Sequence, residues 1–418
     1  MEAHAQSVED NLVSGLSFKL APGASYVTDR KSVTYWPTGS SEYKVSGGVK
    51  VAKINVTGDA WADPGTVKIM FTVANTSTTK ELRPFVPGGH NWFRRLRVIC
   101  GGQVIEDIDQ YNRTVEMFHM MQSQDKRRND LVEGMGGSNT SYPAALATGK
   151  ERIVCMTLLS GLFNQEKFLP IKYCPIQIEL ELVNSASDCC RAETSAVANS
   201  GSQDFVIKDV QLKCDLITLD NGFDNEIANH LVNGGNLPIN FGSYNTSVQV
   251  ANGDKNSISI SRALTRLKSV FASMFKVPSH TTEHNEVNLF SHHMGSFYES
   301  TKEVQFEMSI GSHKWPEYPI KSTAESYYQL RKTLGINGSA FHSMDINESE
   351  YHHDKYVIGI DTEKMLGASF TGFNSKSGDL MTIKLDNTGL ATGTDRIHVV
   401  LHYDALLQIN DTGVIIYE

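Results

Sequence analysis

An all-β chain of two tandem eight-stranded jelly rolls (a double jelly roll), with a few short connecting helices, is what the sequence predicts. Three observations carry that expectation. Apolar and polar residues alternate at period two in many segments, helical periodicity is confined to a few short stretches, and parts of the first half recur faintly in the second. Ile176, Ile178, Leu180 and Leu182 are separated by Gln177, Glu179 and Glu181, the pattern of a strand wet on one face. The same alternation runs through 67–73, 206–216, 304–310, 380–385 and 397–403, each bounded by Gly, Asn, Asp or Ser. Strands of this kind form antiparallel sheets.

The clearest helix begins at Ser322, which forms a capping box with Glu325; Tyr327, Leu330 and Leu334 then share one face, and Gly335 stands where the helix should end. Two weaker helices are expected, from Tyr111 to about Gln124 with Val115 and Phe118 inward, and from Asn225 to Val232, stopped by Gly234-Gly235. Polar stretches at 134–150, 185–203 and 279–302 read as surface loops.

The internal echo sets VQLKCDLITLDN (210–221) beside VVLHYDALLQIND (399–411), aligning Leu212 with Leu401 and Asp215 with Asp404 at a spacing of 189. A second pair, at a spacing of 171, matches Arg95-Leu96-Arg97 with Arg266-Leu267-Lys268. Together they suggest two β units of about 190 residues. Such units fit immunoglobulin-like sandwiches or jelly rolls, and length chooses between them. An immunoglobulin domain needs about 100 residues, so units of this size, each with a helix-bearing excursion (111–130 and 322–335), favour the jelly roll. The expected division is an N-terminal arm at 1–15, a first roll at 16–220, a linker with a short helix at 221–235 and a second roll at 236–418.

Composition excludes several classes. The 418 residues carry 38 Lys and Arg against 47 Asp and Glu, a net charge of −9 that disfavours a general nucleic-acid binder. Hydrophobic residues at 40% and charged residues at 20% describe a globular chain able to build a core. The first 18 residues hold Glu2, Glu9 and Asp10 and no Lys or Arg, which argues against a genome-condensing basic arm. They also lack the basic and apolar regions of a secretory signal, so secretion by a signal peptide is not expected. Six cysteines without a C-x-x-C pair point to reduced thiols rather than a metal or redox motif. The eight Asn-x-Ser/Thr triplets are therefore not read as glycosylation sites.

The search for chemistry returns weak candidates. His280-Thr281-Thr282-Glu283-His284 matches the H-x-x-E-H pattern of inverted zinc proteases, yet two adjacent β-branched threonines after Pro278 give poor helical support. His398, His402 and Asp404 share one face of the last long strand. At about 3.3 Å per residue the two histidines stand roughly 13 Å apart, too far for one ion without a partner strand between them. The cluster Asp345, Asn347, Glu348, Glu350, His352, His353 and Asp354 begins like a calcium loop but has Glu350 where the loop needs Gly. Cys189-Cys190 reads as an incidental loop pair. Arg94, Arg95 and Arg97, and Lys126, Arg127 and Arg128, have structural explanations, as residues of a strand face and of a helix C-terminus. No phosphate loop, dinucleotide fingerprint or nucleophile elbow is present, so no catalytic, cofactor-binding or metal-binding residue is assigned.

Four stretches carry a family likeness: VIEDIDQYNRTVEMF (104–118), SRALTRLKSVFAS (261–273), YPIKSTAESYYQLRK (318–332) and RIHVVLHYDALLQINDTGVIIYE (396–418). The chain resembles the major capsid proteins of the double jelly-roll virus lineage, most of all those of polinton-like viruses and virophages. The resemblance implies a homotrimeric, pseudo-hexagonal capsomer tiling an icosahedral shell around double-stranded DNA. It also implies neighbouring capsomers, penton and minor capsid proteins as partners, and a place in the virion. Loops 134–150 and 279–302 would then face outward or line trimer contacts. A tandem β-sandwich adhesin, which should carry a signal segment, and a zinc hydrolase built on His280, Glu283 and His284 are the alternatives.

Overall fold

The computed structural model describes residues 26–137, 143–191, 201–275, 302–336, 344, 346–353, 355–365, 371–376 and 380–418. The expected arm at 1–15 lies outside them.

Eight main strands precede the central helix: β1 (Val27–Tyr35), β2 (Val51–Val56), β3 (Trp61–Asn75), β4 (Phe93–Cys100), β5 (Gln103–Ile108), β6 (Glu151–Thr157), β7 (Ile176–Leu182) and β8 (Phe205–Leu219). Their sheets run β1-β8-β3-β6 and β2-β7-β4-β5, all antiparallel. Eight more follow it: β9 (Leu237–Val250), β10 (Asn256–Ile260), β11 (Leu267–Phe275), β12 (Gln305–Ile310), β13 (His313–Ile320), β14 (Val357–Asp361), β15 (Met381–Asp386) and β16 (Arg396–Asn410). These form β9-β16-β11-β14 and β10-β15-β12-β13, with β17 (Gly413–Tyr417) added to β16. Numbered within its own unit, each half has the order 1-8-3-6 in one sheet and 2-7-4-5 in the other. That is a jelly roll, made twice.

Period two is realised where one face is wet. Ala52, Ile54 and Val56 of β2, and Met381, Ile383 and Leu385 of β15, point inward between exposed or half-buried neighbours. Between the first unit's sheets Phe71 of β3 meets Phe93 of β4 edge to face, with ring centroids 5.2 Å apart. Alternation fails in β11, β14 and β16, which are buried on both faces. The second unit's own core takes one face, and helices cover the other.

Helices α1 (Tyr111–Met120) and α2 (Gln124–Asp130) lie between the fifth and sixth strands of the first unit; α4 (Thr323–Thr333) and α5 (Glu348–His353) occupy the same interval of the second. The helix expected from Tyr111 to Gln124 ends early, because Ser123 takes an extended conformation and starts a new helix. α3 (Asn221–Val232) starts four residues before its expected Asn225, with Asp220 accepting from Gly222 N–H, and ends at Gly234 and Gly235. On α4 the Ser322 hydroxyl accepts from Glu325 N–H at 3.2 Å, and Leu330 is fully buried. Ser322→Ala is expected to cost about 1 kcal/mol by removing that cap, seen as a lower melting temperature with unchanged far-ultraviolet dichroism.

Three expectations need correction. Cys100 and Cys174 meet as a disulfide with Cα atoms 5.8 Å apart, so the six thiols are not all reduced. The described parts of the stretches 134–150 and 185–203 are not simply surface loops. Leu146 exchanges both backbone hydrogen bonds with Leu82, and Arg191 N–H donates to the Arg83 carbonyl, so Met135, Leu146, Cys189, Cys190 and Arg191 close the end of the first roll. Finally, only half of the repeat alignment is structural. Asp215 and Asp404 both stand on the eighth strand of their unit, opposite Ser32 and Gly242 of the first. Arg95-Leu96-Arg97 lies on a fourth strand, but Arg266-Leu267-Lys268 enters a third.

Candidate functional site

The seam between the two rolls is the most heavily built polar region. Glu106, on β5, is almost wholly buried, and both of its oxygens are held by donors. Ser160 Oγ and Leu162 N–H (3.2 Å) donate to one oxygen; Gly161 N–H (2.8 Å) and Ser243 Oγ of β9 (2.9 Å) donate to the other. Burial raises the pKa of this carboxyl and the four donors pull it back. Gly161 lies so close to β9 that a Cβ would overlap the Gly242 carbonyl and stand 2.8 Å from the Phe241 ring.

α1 is the wedge of the seam. Phe118 packs against Tyr244 of β9 and Phe271 of β11, at centroid distances of 5.2 and 5.3 Å. The Arg113 guanidinium stands 3.8 Å from the Phe275 ring centre, and Thr114 Oγ1 lies 3.4 Å from His398 Nε2. Thr246 Oγ1 donates to the Asp109 carbonyl at 2.9 Å. Most buried apolar residues of both rolls consequently belong to one continuous cluster.

This seam absorbs the histidines noted on the last strand. His398 is fully buried; burial, with Arg113 nearby, lowers its pKa to about 3. His402 stacks on Tyr244 and stands 3.2 Å from Ser269 Oγ; burial, with Lys268 nearby, lowers it to about 4. Asp404 faces Lys268 at 3.7 Å. The three do not converge on a common point.

The other sequence candidates disperse. His280, Glu283 and His284 lie outside the described residues, as do Asp345 and Asp354. Glu350 caps α5 by accepting from Asn347 N–H and pairs with Lys355 at 3.2 Å, so the acidic cluster is used in helix capping. Cys189 and Cys190 are core residues rather than loop ones, with sulfurs 3.6 Å apart; burial raises the Cys189 thiol well above its usual range. Arg95 grips Asp107 through two bonds, Arg94 pairs with Asp109, and Arg97 with Glu179. Arg128 pairs with Asp125, so these cations are neutralised within the chain.

One constellation escaped the sequence reading. His90, in the turn Gly89–Trp92, donates from Nε2 to Glu116 Oε2 at 3.0 Å, while Arg127 holds Glu116 Oε1 at 3.0 Å. His119, one turn along α1, stands edge-on to His90 with centroids 4.9 Å apart. The signal available was Glu116-x-x-His119, which puts both side chains on one helix face.

Exposed apolar residues mark the sheet edges. Trp36 follows β1, and Ile153, Val250 and Tyr318 stand on the edge strands β6, β9 and β13. No protein-family model matches the sequence, and no curated protein is similar to it. Solved structures do match. PBCV-1 VP54, as fitted into a reconstruction of the virophage Sputnik, superposes with a TM-score of 0.67 at 12% identity, over 96% of this chain and 100% of its own. The fold is that of the double jelly-roll capsid proteins. The Sputnik virophage structure gives 0.62 at 9% identity, covering 96% of this chain and 90% of that one. The mavirus major capsid protein gives 0.56 at 11% identity, covering 96% and 92%. The double jelly roll thus spans nearly the whole chain, with none of its strand order missing.

Proposed function

We propose that the chain is a structural major capsid protein whose homotrimer forms a pseudo-hexagonal capsomer, tiling an icosahedral shell around a double-stranded DNA genome. The observation that carries this reading is one strand order repeated in both halves, in a fold shared with virophage and PBCV-1 capsid structures over 96% of the chain. Three chains of two like rolls present six like blocks, so one gene product approximates a six-fold tile. The division into rolls at 16–220 and 236–418, joined through α3, belongs to the same proposal.

Two further features support it. A tile must hold its halves at a fixed angle, and the Glu106 clamp with the shared core does that. Its edges must meet other copies, and the apolar side chains on β6, β9 and β13 suit edges that become covered. Neighbouring capsomers, penton and minor capsid proteins are the partners in this reading, the virion is its location, and no catalytic step or sequence-specific DNA contact is part of it.

The test is the solution mass of the purified chain by light scattering. The expected species is about three times the 46.2 kDa chain and persists on dilution. A strict monomer at high concentration would count against the capsomer and return the tandem β-sandwich adhesin.

A further inference from the structure

We propose that His90, Glu116 and His119 form a binding site for a divalent cation of the zinc class, which staples α1 to the Gly89–Trp92 turn. Among the described residues this is the one group of three whose ligand atoms all lie within 4.8 Å of one another. Two neutral-capable imidazoles and a carboxylate are the donor set of three-ligand zinc sites, which leave a fourth position open.

The distances suit an ion of that size. Bonds of 2.0–2.2 Å in a tetrahedron put neighbouring ligand atoms roughly 3.3 Å apart. His90 Nε2 and Glu116 Oε2 are already 3.0 Å apart, and only the His119 ring has to swing inward. No side-chain hydrogen bond holds that ring among the described residues, and it stands edge-on to the His90 ring. Arg127 stays on Glu116 Oε1 while Oε2 turns to the metal, the outer-shell contact that fixes a ligating carboxylate.

The surroundings are built for it. Gly88 has no Cβ, and a Cβ there would overlap the His90 ring, so the turn holds the imidazole folded back against its own backbone. A cavity of about 370 Å³ opens beside the cluster, leaving room for water in the fourth position. Glu116, Asp130 and Glu133 are offset there by Lys68, Lys126 and Arg127, so the cation enters a neutral setting.

The experiment uses the full-length protein, stripped with EDTA and desalted, then titrated with Zn²⁺ by calorimetry and with Co²⁺ by visible absorption. One equivalent per chain is expected, with a melting temperature raised by Zn²⁺. Affinity should fall at least tenfold in His119→Ala and in Glu116→Gln, and stay unchanged in the His280→Ala/His284→Ala double variant. Absence of saturable binding, or binding kept in His119→Ala and lost in the double variant, would overturn the site. If a variant does not fold, anomalous scattering at the zinc edge from zinc-soaked wild-type crystals decides: a peak among the three side chains supports the site, and a peak elsewhere or none rejects it.

Discussion

Gly161→Ala is expected to destabilise the protein by roughly 3 kcal/mol or more, because the new methyl has nowhere to go. Its carbon would fall on the Gly242 carbonyl oxygen, a backbone atom of seam strand β9 that no rotamer change can move aside. Retreat of the 161 backbone also breaks the Gly161 N–H bond to Glu106, and with it the register of Leu162 and Ser160 on the same carboxylate. A buried carboxylate deprived of donors costs about 1–3 kcal/mol for each group left unpaired. Gly65→Ala is the control: a Cβ there meets only the Asp63 carboxylate oxygen at 3.6 Å, and the change should stay within about 0.5 kcal/mol. Urea denaturation of both variants reads the difference. Equal stability would mean that the seam is loose and the rolls are not held as one body.

Acid is the second large effect. His398 and His402 have pKa values lowered by burial to about 3 and about 4 in the folded chain, against 6.5 for a free imidazole. A group with a depressed folded pKa that is neutral when deprotonated binds more protons unfolded than folded between those values. Stability is therefore complete above about pH 6.5 and drains away as pH falls toward 4. The cations facing them, Arg113 beside His398 and Lys268 beside His402, deepen the effect, while Asp404 beside Lys268 moderates it. Glu106 works in the opposite sense, because its raised pKa lets the folded chain take up a proton first. The histidines titrate earlier, so from pH 7 to pH 5 these two imidazoles are expected to contribute a net loss of about 3 kcal/mol. Denaturation midpoints across that range measure it, and His402→Phe should flatten the slope. A stability that is level or rises from pH 7 to pH 5 would show that these imidazoles are not held neutral in the seam.

How far the sequence discloses this protein depends on which faces are wet. β2, β7, β12 and β15 each keep a face with polar residues, and their alternation could be read directly. β16 was legible as a strand, but not as one buried on both sides, because His398 and His402 look like solvent-facing residues until α1 is laid over the first and Tyr244 over the second. The duplication left one true trace, Asp215 and Asp404 on equivalent strands. It also left one accidental trace, since an Arg-Leu-basic triplet is too short to distinguish a third strand from a fourth. The seam has no motif at all. Glu106, Ser160, Gly161 and Ser243 are four ordinary residues from distant parts of the chain, and only the docking of one roll on the other makes them a unit. The likeness to capsid proteins was carried by stretches that include β5, α1, α4 and β16, which build the seam or cover the second roll.

The zinc staple and the tile are separable. A metal at His90, Glu116 and His119 would stiffen α1 against its own roll, and its absence would leave the Glu106 clamp, the shared core and the exposed edges as they are.

The central claim is that two like rolls, locked at one angle, let three chains act as six. Electron microscopy of the purified oligomer tests it most directly. Class averages viewed down the symmetry axis should show a hexagonal outline of six lobes of similar size around a three-fold centre. Particles with three lobes, or chains whose two rolls take variable angles, would contradict it.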